Sequence, residues 1–303
     1  MPSLKEIKSR IGSVSSTLKI TSAMKLVASA KLHKAQLALG NLLPYETRLH
    51  GILADLMRDA ASGPDAAGSG EAYSLTASRE VRKVAVVAFA SNSSLCGAFN
   101  SNAVREASSV IDEYLSAGLK ASDITVYSVG RKMADAMKKK GFCSPGDFTR
   151  LSEAPSYEEA SALAQELMDG FLSGRFDRIE LVYNHFRSTS SQPTVRKVFL
   201  PLSSGSLSGE SSGSGEGFGR TRMIVEPSPA ELVSNLLPKA VRLGIYSTLL
   251  DSSAAEHAAR TVAMQTATDN GNDLLSELTL EYNKSRQQKI TSEILDIVAG
   301  SLQ

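Results

Sequence analysis

"ITSAMKLVASAKLHKAQ", residues 20–36, reads as helix at every step. It holds neither Gly nor Pro, and Ala, Lys, Leu, Met and Gln are strong helix formers. Yet few of its side chains are bulky enough to hold a place in a globular core. Stepping outward from it by threes and fours gives Leu4, Ile7, Ile11, Val14, Leu18, Thr21, Lys25, Ala28, Leu32, Ala35, Leu39, Leu42, Glu46, Leu49, Leu53 and Leu56. Thirteen of these sixteen positions are apolar. A sustained step of 3.5 is the seam of a coiled coil, narrower than the stripe of a globular surface helix. Gly40 and Pro44 interrupt the run. Proline removes an intrahelical hydrogen bond and crowds the preceding turn, so a kink or break is expected near 40–44.

The other end of the chain repeats the pattern. Pro229 opens a helix expected to run to about residue 300. Its seam steps through Leu236, Ala240, Leu243, Ser247, Leu250, Ala254, His257, Thr261, Met264, Thr268, Gly271, Leu275, Leu278 and Tyr282. Pro238, Gly244 and Gly271 predict local bends. At 1.5 Å per residue, about 70 residues make a rod on the order of 100 Å, too long for a small domain to contain. The economical arrangement pairs the two ends as an antiparallel coiled coil. The small seam residues Ala28, Ala35, Ala254 and Thr261 would let the backbones approach. "MKLVASA", 24–30, and "ARTVAMQTATDN", 259–270, carry apolar or small residues on further faces. A two-stranded coil in water shows charge there. The rod is therefore expected to be enclosed by another surface.

Between the ends the period changes. Residues 61–79, "ASGPDAAGSGEAYSLTASR", read as a small-residue linker. "VRKVAVVAFA", 81–90, reads as a buried strand, and "SNSSLCG" turns out of it into a helix over about 98–117. A strand over 123–130, a helix over 131–140 and a helix over 156–174 follow. Ser156 is placed to cap the last of these, with Glu158 and Glu159 near its dipole. Strands are expected over 176–188 and 194–201, then a Gly/Ser-rich insertion over 202–219 and a short strand over 221–227. Alternating strands and helices imply a largely parallel α/β sheet of Rossmann type. The fold class expected is thus a Rossmann-like α/β domain inserted between two long terminal helices. Its parts are a helix over 1–60, a linker over 61–80, the domain over 81–227 and a helix over 228–303.

The 303 residues are 42% hydrophobic and 21% charged, with a net charge of +1. That is an ordinary globular composition with no global bias toward nucleic acid or membrane. No apolar run approaches the roughly 20 residues of a membrane span. "MPSLKEIKSRIGSV" has no signal-peptide apolar segment and no Arg-rich presequence, so a mature cytosolic chain is expected. Cys96 and Cys143 form no disulfide framework, and no thiol switch is expected. No two of His33, His50, His185 and His257 sit at a metal-ligand spacing, so no metal site is expected.

The strongest enzyme-like signal is "VVAFASNSSLCGAFNSN", 86–102. A polar loop at the carboxyl end of a first strand is where α/β folds bind ligands. It lacks G-x-G-x-x-G and G-x-x-x-x-G-K-[ST], and it has Gly97 but no Lys to meet a phosphate. Ser91, Ser93, Ser94 and Cys96 have no His or acid at a motif spacing, and G-x-S-x-G is absent. The pairs Glu158/Glu159 and Asp112/Glu113 fall on exposed helix faces as solvated charge. "RKMADAMKKKG", 131–141, puts Lys138, Lys139 and Lys140 where a helix dipole favours cations. With no interleaved aromatics it is a poor nucleic-acid patch. The competing readings are a small α/β enzyme using the loop 91–102 and dimerising through its end helices, or a coiled-coil scaffold.

"LKEIKSRIGSVSSTLKITSAMKLVASAKLHKAQ" at the start and "AARTVAMQTATDNGNDLLSELTLEYNKSRQQKITSEILDIVAG" at the end resemble the gamma-subunit family of bacterial F-type, proton-translocating ATP synthases. The runs A-R-x-V-A-M, A-T-D-N, Y-N-K-x-R-Q and I-T-x-E-I follow one another at the family spacing. "LCGAFN", 95–100, and "EPSPAEL", 226–232, carry the likeness through the middle. The chain departs from the family pattern at Asn92, Ser93 and Ser94, and at Val225. The resemblance implies a central rotor shaft without catalytic, cofactor or metal residues of its own. ATP, ADP and Mg would be held by the alpha and beta subunits. The partners implied are three alpha and three beta subunits, an epsilon subunit and a membrane ring of c subunits, with no nucleic acid. Membrane contact would come only through the complex, at the cytoplasmic face of the inner membrane. By motif match Met24, Lys25, Arg260, Gln287, Thr291 and Glu293 are the expected contacts to a beta-subunit loop, and Glu226 the expected contact of the foot with the ring.

Overall fold

The computed structural model describes residues 3–62, 71–202, 225–226 and 228–301. Two compact units make up the chain, one of residues 1–30 with 260–303, the other of residues 31–259. In chain order the elements are α1 (Leu4–Ser62), a 3-10 turn (Glu71–Thr76), β1 (Val84–Phe89), α2 (Phe99–Ser116), a 3-10 turn (Ala121–Asp123), β2 (Ile124–Val129), α3 (Arg131–Lys139), α4 (Thr149–Glu153), α5 (Tyr157–Leu172), β3 (Arg178–Asn184), β4 (Thr194–Leu200) and α6 (Pro229–Ser301).

In the unit of residues 31–259 the six residues of β1, "VAVVAF", are all buried. A continuous apolar run of this kind suits a central strand covered on both faces. The strand order is β2-β1-β3-β4, with Val87 beside Tyr127 on one side and Leu181 on the other. Ala85, Val87 and Phe89 face a cluster built from Leu163, Leu167 and Phe171 of α5, Leu237, Val241 and Ile245 of α6, and Leu49 and Leu53 of α1. Val84, Val86 and Ala88 face Ala103, Ala107 and Ile111 of α2 and Met133 and Met137 of α3. β2, β1 and β3 are parallel, as expected of a largely parallel sheet, and β4 joins β3 antiparallel, which makes the sheet mixed at that edge. The connection between β3 and β4 is too short for a crossover, and only a hairpin closes it.

Packing changes three local expectations. Of the kink or break expected near 40–44, the break does not occur: α1 continues as helix through Gly40 and Pro44. Pro44 lies on the exposed side, while Leu42 and Leu49 on either side of it turn inward. Burial of that face outweighs the roughly 3 kcal/mol cost of an internal proline. The expected linker over 61–80 contains the first 3-10 turn, and Leu75 is 1% exposed within the main core. Its carbonyl accepts the Leu202 N–H at 2.9 Å. Ser156 stands at the N-cap of α5, but its side chain makes no capping bond. The insertion beyond Leu202 and most of the expected strand 221–227 lie outside the described residues. Val225 and Glu226 are described and are not strand.

Every position of both predicted seams is buried or half-buried. In the unit of residues 1–30 with 260–303, Thr268 Oγ1 lies 3.0 Å from Thr21 Oγ1. A Cβ on Gly271 would come within 2.7 Å of Leu18, so glycine there permits close approach. In the unit of residues 31–259, Leu32, Ala35, Ala254 and Ala258 form one cluster. Ser247 Oγ donates to Glu46 at 2.6 Å, which satisfies a polar seam position.

Candidate interaction faces and the closed ligand crevice

The loop after β1 is closed by its own hydrogen bonds. Ser91 is fully buried, its N–H donates to Asn100 Oδ1 at 3.0 Å, and its hydroxyl donates to the Ser93 carbonyl at 2.6 Å. Asn100 Nδ2 donates to that same carbonyl at 3.2 Å and lies 3.1 Å from Cys96 Sγ. Asn92 Nδ2 donates to the Thr149 carbonyl at 2.8 Å, and its Oδ1 accepts the Arg131 N–H at 2.9 Å. The departing residue Asn92 thus ties the loop to the starts of α3 and α4. Gly130 enters α3 at φ 97°, and a Cβ there would sit 2.0 Å from the Ala90 carbonyl oxygen. Only glycine allows the ends of β1 and β2 to close so tightly. The cavity at these strand ends, lined by Phe89, Val129, Ser152, Leu249 and Glu256, is about 10 Å³. A cavity of that size is at the limit of about 10–15 Å³ needed for one water and has no room for a larger ligand. The crevice where α/β sheets take ligands is therefore filled, chiefly by α6.

A larger cavity of about 210 Å³ lies among α1, β3, β4 and α6. Glu46, Lys197 and Asp251 bring charged side chains to it, and His50 and Tyr183 line it beside them. Burial pulls His50 below the ordinary histidine range; Glu46 opposes this and Lys197 adds to it. Burial, with Asp251 and Glu46 behind it, pushes Tyr183 up to about 12. Sequence reading missed this cluster, because its members come from four elements with no shared motif.

The six expected beta-subunit contacts all belong to the unit of residues 1–30 with 260–303. Met24 and Lys25 are half-buried, and Arg260 is 9% exposed. Gln287, Thr291 and Glu293 are exposed. Gln287 and Thr291 share a face, with Thr291 Oγ1 donating to the Gln287 carbonyl at 2.9 Å. Glu293, two residues on from Thr291, turns to the opposite side and sits 3.8 Å from Lys289. Glu226 is exposed in the other unit.

The outer faces of these helices are apolar. Ile290, Ile294, Ile297 and Val298 stand at i, i+4, i+7 and i+8, a single stripe, with exposures from 46% to 71%. Gln287 and Thr291 border it. On α1, Ile20, Ala23, Val27 and Ala30 make a second exposed stripe at i, i+3, i+7 and i+10. Further apolar faces were expected over 24–30 and 259–270; the α1 stripe overlaps the first, whereas the stripe over 290–298 lies outside both.

The family profile described as ATP synthase matches residues 3–302. The ATP synthase gamma chain of Phocaeicola vulgatus is 52% identical over 303 residues, covering 100% of both chains. That of Bacteroides fragilis is 48% identical over 302 residues, again covering 100% of both. Among solved structures, a chain of the Euglena gracilis mitochondrial ATP synthase is similar with a TM-score of 0.61 and 22% identity, covering 98% of this chain and 92% of that one. At that identity the likeness is one of fold.

Proposed function

Since the chain belongs to the ATP synthase gamma-chain family, we propose that it is the central rotor shaft of an F-type ATP synthase. It couples proton flow through a membrane ring to the conformational cycle of catalytic beta subunits and does no chemistry itself. The observation that carries this reading is the pair of exposed apolar stripes, one on α1 beside a seam already filled, the other on a stretch of α6 whose residues 286–298 are all exposed. Exposed apolar faces of this kind call for a second surface around them. A ring of three alpha and three beta subunits supplies one.

In this reading α1 and α6 pair as an antiparallel coiled coil. The pairing order supports it. In one unit Leu18 meets Gly271 and Thr21 meets Thr268, so the partner's number falls as the number along α1 rises. The α/β domain is the foot, contacting the epsilon subunit and the c-ring, with Glu226 at the ring contact. No helix among the described residues is long and apolar enough to cross a membrane, which suits a peripheral subunit held at the cytoplasmic face by its complex. ATP, ADP and Mg belong to the alpha and beta subunits.

The rod transmits by asymmetry. A shaft presenting different side chains to three equivalent subunits stabilises a different conformation in each, so their nucleotide affinities differ. Turning it exchanges those states, and coupling requires contacts that differ between them. The apolar stripes form a bearing. Met24, Lys25, Arg260, Gln287, Thr291 and Glu293 supply the directional contacts that an apolar bearing lacks.

The test is a pull-down of the tagged full-length chain from its own cells, with mass spectrometry and an ATPase assay of the eluate. The rotor reading expects alpha and beta subunits with ATP hydrolysis. Recovery of the chain alone, able to bind a nucleotide, would restore the enzyme reading of the loop 91–102.

A further inference from the structure

Asp251 of α6 holds two consecutive residues just beyond β3. Its Oδ1 accepts the Phe186 N–H at 2.8 Å, and its Oδ2 accepts from His185 Nδ1 at 2.6 Å. The carboxylate fixes the imidazole with its proton on Nδ1. Asp251 is 7% exposed, whereas the His185 side chain is 47% exposed, so the carboxylate is buried and the imidazole reaches the surface.

The neighbours of this pair are tied as well. Asn184 donates through Nδ2 to the Phe99 carbonyl at 3.1 Å and accepts the Thr194 hydroxyl at 2.6 Å. The His185 N–H donates to the Pro193 carbonyl at 2.8 Å. Phe186 packs on Leu32 and Ala35 of α1, on Ala254 and Ala258 of α6, and on Cys96 and Phe99 at the start of α2. Residues 184–186 therefore join β3, β4 and α2 to both long helices, and Asp251 is the charged group that sets their place on α6.

Elsewhere the domain grips α6 mainly through apolar side chains such as Leu237, Val241, Ile245 and Leu249, with Arg242 Nη2 donating to Gln165 Oε1 of α5 at 2.7 Å. Apolar burial is strong but non-directional, so it resists separation better than sliding. Charge-assisted hydrogen bonds are directional and fix register. We infer that Asp251 is the positioning residue that locks the α/β domain to the shaft, carrying torque from the domain into α6. This rests on the rotor reading and adds to it the place where the load crosses.

The test uses membrane vesicles carrying the complete ATP synthase with the unaltered chain, Asp251→Ala, Asp251→Asn or His185→Ala. Protons taken up per ATP hydrolysed are measured without a gradient and against increasing imposed proton gradients. For Asp251→Ala the ratio is expected to fall at least twofold further than the unaltered enzyme's as the opposing gradient rises. Asp251→Asn falls less, since its Oδ1 still accepts the Phe186 N–H. A ratio that never changes, or one lowered equally at every gradient, overturns the inference, because a purely structural contribution carries no dependence on load. If Asp251→Ala fails to assemble, His185→Ala decides on the same measure, since it removes only the Oδ2 contact. Vesicles with the unaltered chain that hydrolyse ATP without pumping would instead overturn the rotor reading, and the inference with it.

Discussion

At the scale of single residues, burial sets the chemistry that pH can reach. His50 borders the charged cavity, and burial is the largest cause of its lowered pKa. The fold therefore favours the neutral ring. Above about 6.5 the ring is neutral in both folded and unfolded chains and contributes no pH dependence. As pH falls through that value, the unfolded chain takes up a proton first, and stability falls until the lower folded pKa is reached. The slope is at most about 1.4 kcal/mol per pH unit. Thermal melting of the purified chain should therefore drop more between pH 7.5 and 5.5 than melting of His50→Gln (the pH values are roughly one unit either side of the model-compound pKa). Equal drops would show that the ring is not held neutral. The sequence marked His50 only as a histidine without a partner at ligand spacing. Its cavity exists because Lys197 and Asp251 arrive from β4 and α6.

At the scale of elements, the β3–β4 hairpin is held by a buried carboxylate. Glu180 is 1% exposed and accepts from Tyr114 of α2 and from Arg196 Nε of β4 at 2.6 Å. Arg196 also pairs with Glu113. Burial first, and then the bond to Glu180, pushes Tyr114 up to about 12. Arg196→Ala leaves the carboxylate buried without its cation, and such loss costs about 3–5 kcal/mol. Denaturant unfolding should show a loss near the lower end, because Arg178 stays within 3.5 Å of Glu180. A loss under about 1 kcal/mol would mean the carboxylate finds water instead. The strands themselves were legible, since "VAVVAFA" is a buried run and the later strands follow turn signals. The polar bridge between them was not. Glu180 lies between Ile179 and Leu181 in β3, and its partner Arg196 is known only once β4 turns back beside β3.

At the scale of the whole molecule, side chains that contribute nothing to the isolated chain are the ones left for partners. Ile294 and Ile297 are 55% and 71% exposed. Their substitution by Ser should leave the melting of the purified chain within about 0.5 kcal/mol. Each should weaken assembly with alpha and beta subunits by about 1–2 kcal/mol, read as a rise in the concentration needed to reconstitute ATPase activity. Unchanged reconstitution would rule out a bearing on this stripe. Arg260 is a poorer probe of the polar contacts, because it is nearly buried and its removal also disturbs packing. Gln287→Ala and Thr291→Ala are cleaner.

The sequence by itself determined the two 3.5-step seams, the buried run of β1 and the family likeness, because each is written in neighbouring or periodically spaced residues. Every seam position then turned out to be covered. Tertiary structure alone decided that α1 continues through Pro44, that Leu75 leaves its small-residue surroundings for the core, and that β4 closes the sheet antiparallel. It alone placed Asp251 against His185, 66 residues away. These outcomes depend on burial and on charge pairing between distant segments. Such energies act only after the chain has folded, so no local pattern carries them.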